Sequence, residues 1–366
     1  MKFDHNQYVP CLRWKQGEYQ AVLGLSDKTK KFITPIIEVA EIGYDFEDEK
    51  EKKTIDEHLQ PFAKRVSDKW GKETCFVDAL HLPPGDLMAD GRHPVSFIFE
   101  ELRALKCTGV PVIGLNRGPQ YTKAIKEVVS KDKLGFCLRI TIEESSKSSL
   151  KDDIAALMAA SKAQVQDCDL VLDLGAPNFQ PIEGFVKLVE SLIKRIPNLN
   201  QWRSFALIGT AFPASMGEIR KSPEIVPRCE WVLYKLLIKR LIKTKIRLPA
   251  FGDYGISHPE VLNLDMRLVK PAGTIRYTID DAWFIVKGPN VRDYKFDQYR
   301  GHCRTVIASG FYSGPGFSEG DKYIEKCAKG TGSTGNLYVW RKVGTSHHLE
   351  RIVQDVSNLF GSLAAA

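Results

Sequence analysis

The sequence predicts an α/β fold: a (β/α)8 barrel of the TIM type, with a β-hairpin insertion after strand eight and a C-terminal helical extension. Three observations predict it. Eight short apolar runs recur along the 366 residues, most of them β-branched, aromatic or cysteine-rich and too short for a helix. Longer segments of helical periodicity follow most runs, the rhythm of β-α units around a parallel sheet. Most runs also end on a polar or charged residue, where barrels of this kind place their chemistry. An open doubly wound sheet is the alternative. It usually carries a glycine fingerprint after its first strand, and RWKQGE has a single glycine.

The elements follow in order. Run one covers 8–14 (YVPCLRW) and leads into a helix over 18–29. Run two is 32–39 (FITPIIEV), followed by the charge run 47–53, a solvated loop or helix start, and a helix over 54–70 that Pro61 kinks. Run three is 74–80 (TCFVDAL), and its helix over 93–106 has Pro94 near its start. Run four, 110–116 (VPVIGLN), precedes a helix over 120–133, and run five, 135–141 (GFCLRIT), one over 149–164. In the latter, Asp152 and Asp153 occupy the first turn, where the helix dipole favours negative charge. Run six, 169–175 (DLVLDLG), leads to a helix over 184–196, and run seven, 204–212 (SFALIGTAF), to one over 228–243. Run eight is 247–253 (RLPAFGD). The rhythm then breaks. Two alternating segments around Asp280 and Asp281 read as a hairpin, and 298–309 reads as the eighth barrel helix. Residues 1–310 thus form the barrel, with 254–297 inserted as a lid-like loop, and 311–366 the helical extension. Glycine-rich turns at 310–316 and 329–335 lie between helices, the last over 346–360.

Composition bounds the function. Hydrophobic residues make up 43% and charged residues 27%, ordinary for a globular protein. No apolar run approaches the roughly 20 residues a membrane span needs, and MKFDHNQYVP lacks the apolar core of a secretory signal, so a cytoplasmic protein is expected. The eight cysteines are scattered, with no CxxC pair, as free thiols would be. Net charge is +7. The densest basic stretch, 235–247, reads either as a phosphate contact or as the solvated face of a helix, and its apolar spacing favours the second. The GTGSTGN segment lacks the P-loop pattern, and no GxSxG, HExxH or kinase set occurs.

The strand ends supply the candidate site. Glu38, Asp78, Asp173 and Asp253 close runs two, three, six and eight. Facing one mouth, they would serve as acid/base groups or would hold a divalent cation. Arg13, Lys15 and Arg139 would bind an anion, with Asn116, Tyr254, His258 and the hairpin's Lys287 as further ligand contacts. The structural alternative is that these acids and arginines pair with each other across the barrel. His347 and His348 read as an exposed helix start rather than a metal site.

Seven segments resemble the beta protein family of bacteriophages and bacterial mobile elements. They are 8–18 (YVPCLRWKQGE), 33–38 (ITPIIE), 209–213 (GTAFP), 227–231 (PRCEW), 248–259 (LPAFGDYGISHP), 275–288 (IRYTIDDAWFIVKG) and 294–299 (YKFDQY). The resemblance implies a role in antiphage defence or a toxin-antitoxin-like module, with a protein partner encoded by a neighbouring gene. It carries no catalytic residues. Three functions are therefore expected in competition: a mouth site for a nucleotide or phosphate-like anion, a non-catalytic barrel that neutralises a toxin or senses a phage protein, and a nucleic-acid binder.

Overall fold

The computed structural model describes residues 2–260 and 268–364. Residues 261–267 of the expected insertion lie outside the described residues. Eight parallel strands run in chain order: β1 (Cys11–Arg13), β2 (Ile36–Glu38), β3 (Cys75–Asp78), β4 (Gly109–Ile113), β5 (Cys137–Thr141), β6 (Asp169–Asp173), β7 (Ser204–Ile208) and β8 (Ala250–Gly252). Each pairs with the next. The ring closes where Val9 N donates to Phe251 O at 2.8 Å and Cys11 N to Asp253 O at 2.7 Å. The barrel expectation is met.

Strand periodicity sorts the side chains. Cys11, Ile36, Phe76, Val112, Cys137, Val171, Ala206 and Ala250 fill the interior as one cluster. Their neighbours Leu12, Ile37, Val77, Leu138, Leu170, Leu172, Phe205, Leu207 and Phe251 face the helices. Both faces are buried, so the runs read as continuously apolar. Closure depends on Gly252, where a Cβ would lie 2.3 Å from Ile208 Cγ2 and 2.4 Å from Val9 O.

The outer helices follow their amphipathic patterns. Ile182–Arg195 turns Val186, Val189, Leu192 and Ile193 onto the sheet. Thr54 caps Ile55–Leu59 in a capping box with Glu57, and the helix breaks at Gln60 and Pro61 before resuming as Phe62–Lys69. The 47–53 charge run lies in a small hairpin of Tyr44–Asp45 with Lys50–Glu51. The basic stretch is a solvated helix face: Cys229–Thr244 buries Leu237, Ile238 and Leu241, while Lys235 pairs with Asp281 and Arg240 with Glu190.

A second lobe grows from the mouth of the barrel. The expected hairpin is Ala272–Thr278 with Ala282–Asn290. A strand after β7, Glu224–Pro227, joins it and makes a three-stranded antiparallel sheet. Helices Gln298–Ala308, Glu319–Lys329 and the start of Leu337–Ala364 cover this sheet through Tyr299, Cys303, Ile324, Cys327, Trp340 and Val343. Two expectations are corrected here. The helix over 298–309 does not complete the barrel, because its Tyr299, Cys303 and Val306 face pack on the lobe. The barrel core is instead joined by Leu349, Ile352, Val356 and Phe360 from the second half of the terminal helix. Periodicity reveals that a helix has an apolar face, not what covers it.

His347 and His348 are also corrected. Both are 0% exposed in the middle of the terminal helix. Successive residues lie about 100° apart on a helix, so the two rings face different partners. His347 meets Asp321 at 2.9 Å and the Thr278 carbonyl at 2.7 Å in the lobe. His348 meets Asp253 at 2.9 Å on the barrel. No described helix is long and apolar enough to cross a membrane.

Candidate functional site

Parallel register sets Arg13, Glu38 and Asp78 side by side at the carboxyl ends of β1, β2 and β3. Arg139 reaches them from β5, where its side chain points inward and is 6% exposed. Its Nη1 donates to Glu38 Oε1 and Asp78 Oδ2, each at 2.8 Å, and its Nε donates to Asp173 Oδ2 at 2.9 Å. Nη2 donates to the Tyr254 hydroxyl at 2.8 Å, which donates in turn to Asp173 at 2.7 Å. Arg117 grips Asp78 bidentately at 2.9 and 3.0 Å, and His81 lies 3.1 Å from Glu38 Oε2.

The network therefore joins Glu38, Asp78, Asp173, Arg139 and Tyr254, as the strand-end pattern expects, and adds Arg117 and His81. Burial works to raise the Glu38 pKa, but the Arg139 charge and the His81 bond outweigh it and hold the carboxyl well below the usual range. A carboxylate held ionised in this way has no proton to donate near neutral pH. Both oxygens of each of the three acids already accept hydrogen bonds. Among the described residues no group of three or more His, Cys, Asp or Glu could hold a metal ion.

Other candidates lie elsewhere. Asp253 faces out of the barrel, accepting from Tyr8 at 2.6 Å and contacting His348, so it does not share the mouth with the other acids. The odd position beside inward Tyr254 decides this. Asn116 is spent on Glu144 at 2.8 Å. Lys287 donates to the Ile219 carbonyl at 2.9 Å, tying the lobe sheet to the loop after β7.

Beside the network, between the barrel mouth and the lobe, lies a cavity of about 600 Å3 lined by Arg13, Lys15, Glu18, His258, Arg276 and Arg341. Arg13 donates to the Pro259 carbonyl at 2.6 Å, and Lys15 pairs with Glu41. Arg341 crosses close to the helix that begins at Gln16, because Gly17 leaves room: a Cβ there would lie 2.5 Å from Arg341 Cγ. Its Nη1 bonds the Ile256 carbonyl at 2.7 Å and Ser257 Oγ at 2.8 Å. The half-buried Arg276 guanidinium makes no hydrogen bond or ion pair to any described residue, and its Nε is shut off from solvent. Burial, with Arg341 nearby, pushes its pKa down to about 9. Glu18 Oε2 is likewise buried without a partner, and burial raises that carboxyl. Arg276 lies in the segment 275–288 singled out by resemblance, whereas Arg341 sits in a helix with no distinguishing motif.

A family model described as Beta protein matches residues 8–354. No curated protein sequence matches the chain significantly. Among solved structures, triosephosphate isomerase from Bartonella henselae is similar over 67% of this chain and 90% of that one, at 9% identity and a TM-score of 0.34.

Proposed function

The chain belongs to the beta protein family, and from that premise, joined to the charges at its barrel mouth, we propose that it is the ligand-binding component of an antiphage or toxin-counteracting module. The ligand is an anion, held between barrel and lobe by Arg13, Lys15, Arg276 and Arg341. One observation carries this reading: Arg276 lines a cavity and makes no ion pair with any described residue, although Glu18 and Glu260 line the same cavity. Shutting the guanidinium Nε off from solvent without a hydrogen bond is costly, and a site for an anion is a physical reason to retain it. The Arg139 network is the rigid floor of the site. Its acids are held ionised by Arg139 and Arg117, which favours a binding platform over acid/base chemistry. Anion binding would bridge the two lobes and alter the surface that a protein partner reads.

The test is thermal unfolding in phosphate, pyrophosphate and chloride at matched ionic strength. Multivalent anions should raise the Tm of the wild type by binding its folded state. Arg276→Gln should abolish that rise, and should itself melt slightly higher without ligand. Protection against phage, or against the toxic neighbour, should fall with Arg276→Gln at equal expression. An unchanged Tm in every anion would sink the proposal.

A further inference from the structure

Resting on that anion site, we infer that its ligand is a mononucleotide, with the phosphate at Arg276 and Arg13 and the base over Tyr338. The cavity is about 600 Å3, well beyond the needs of a bare phosphate and within the usual range for small organic ligands. Its lining combines two chemistries. Guanidinium groups suit bidentate phosphate contact. Leu337 and Tyr338, which open the terminal helix one turn before Arg341, line it too and remain 41% and 40% exposed. An exposed aromatic at the lip of a cationic cavity is a stacking platform for a base.

Glu18 supplies the third contact. Its Oε1 is 3.3 Å from Ser257 Oγ, while the buried Oε2 has no partner. A phosphate would avoid this carboxyl, whereas a ribose hydroxyl or base amino group would satisfy it. The ligand must therefore carry an anionic group, a hydrogen-bond donor and a flat apolar face. Exposed Glu260 lines the cavity. Its charge opposes a continuing phosphate backbone, which favours a mononucleotide over a nucleic-acid strand.

Titration calorimetry on the intact chain tests this with the four nucleoside 5′-monophosphates, adenosine, inorganic phosphate and a short oligothymidylate. At least one monophosphate should bind roughly tenfold or more tighter than phosphate or adenosine, the factor equivalent to one charge-assisted hydrogen bond. Tyr338→Ala, at an exposed site, should leave the Tm unchanged and weaken that nucleotide to the level of phosphate. Arg276→Gln should weaken it to the level of adenosine. If phosphate binds as well as the nucleotides and Tyr338→Ala changes nothing, the nucleotide assignment fails and the anion site stands. Tighter binding of the oligothymidylate overturns the assignment in favour of a strand. If no anion binds the wild type, the assignment and the anion site fall together.

Discussion

Arg139 holds together three carboxylates that would otherwise repel one another inside a barrel. Replacing it with Met, similar in length but uncharged, leaves Asp78 with Arg117, Glu38 with Arg13 at 4.0 Å, and Asp173 with no ion pair among the described residues. Denaturant unfolding should show a loss of about 3–5 kcal/mol, the usual cost of leaving a buried charge unpaired. Asp253 and Glu230 predict opposite pH dependences. Burial works to raise the Asp253 pKa, but His348 and Tyr8 outweigh it and depress it. Stability from this group is present above the ordinary carboxylate value and lost as pH falls through the depressed one. Asp253→Asn should therefore flatten the acid limb of a stability–pH curve. Glu230 is the reverse: burial, only partly offset by Arg228, raises it from 4.5 to about 7. The folded protein keeps a proton that the unfolded chain has lost. Its contribution is full below about 4.5 and declines as pH rises to about 7. Glu230→Gln, which can still accept from Ala211 N, should remove that slope.

At the level of elements, the terminal helix does two jobs. Its first half covers the lobe sheet through Trp340 and Val343, and its second half seals the barrel through Leu349, Ile352 and Val356. Ile352→Ala should cost about 2–5 kcal/mol although the residue is 239 positions or more from every barrel strand before β5. The measurement is denaturant unfolding followed by barrel tryptophan fluorescence, and a neutral result would deny the helix its place in the barrel core. Gly252→Ala should destabilise by about 1–3 kcal/mol or more, since the new methyl meets the Val9 carbonyl as well as a movable Ile208 side chain.

Across the whole molecule, barrel and lobe share one helix, one sheet contact through Glu224–Pro227, and buried Arg228. That arginine is 0% exposed and reaches both Asp355 on the terminal helix and the Asp280 carbonyl in the hairpin turn. Melting followed by fluorescence and by far-ultraviolet dichroism should therefore give coincident transitions. Separate transitions would mean that the lobe folds independently of the barrel.

Much of the fold was legible because it rests on local rules. The eight runs became eight strands, and the hairpin at Asp280 and Asp281 formed where alternation and turn residues put it. Inward and outward positions follow from a period of two, so Glu38, Asp78, Arg139 and Asp173 could be gathered from strand ends alone. The same period placed Asp253 on the outer face once the register of β8 was known, and register is a property of pairing, not of one segment. Which helix closes the barrel and where Arg276 and Arg341 meet Arg13 depend on contacts between residues more than 200 positions apart, and the burial of two histidines on contacts 26 to 95 positions away. Sequence by itself determined the strands, their polar ends and the family, because propensity and pattern act within a few residues. Tertiary structure alone decided which charges pair at the mouth and that Arg276 is left without an ion pair among the described residues, because charge pairing depends on distance through space.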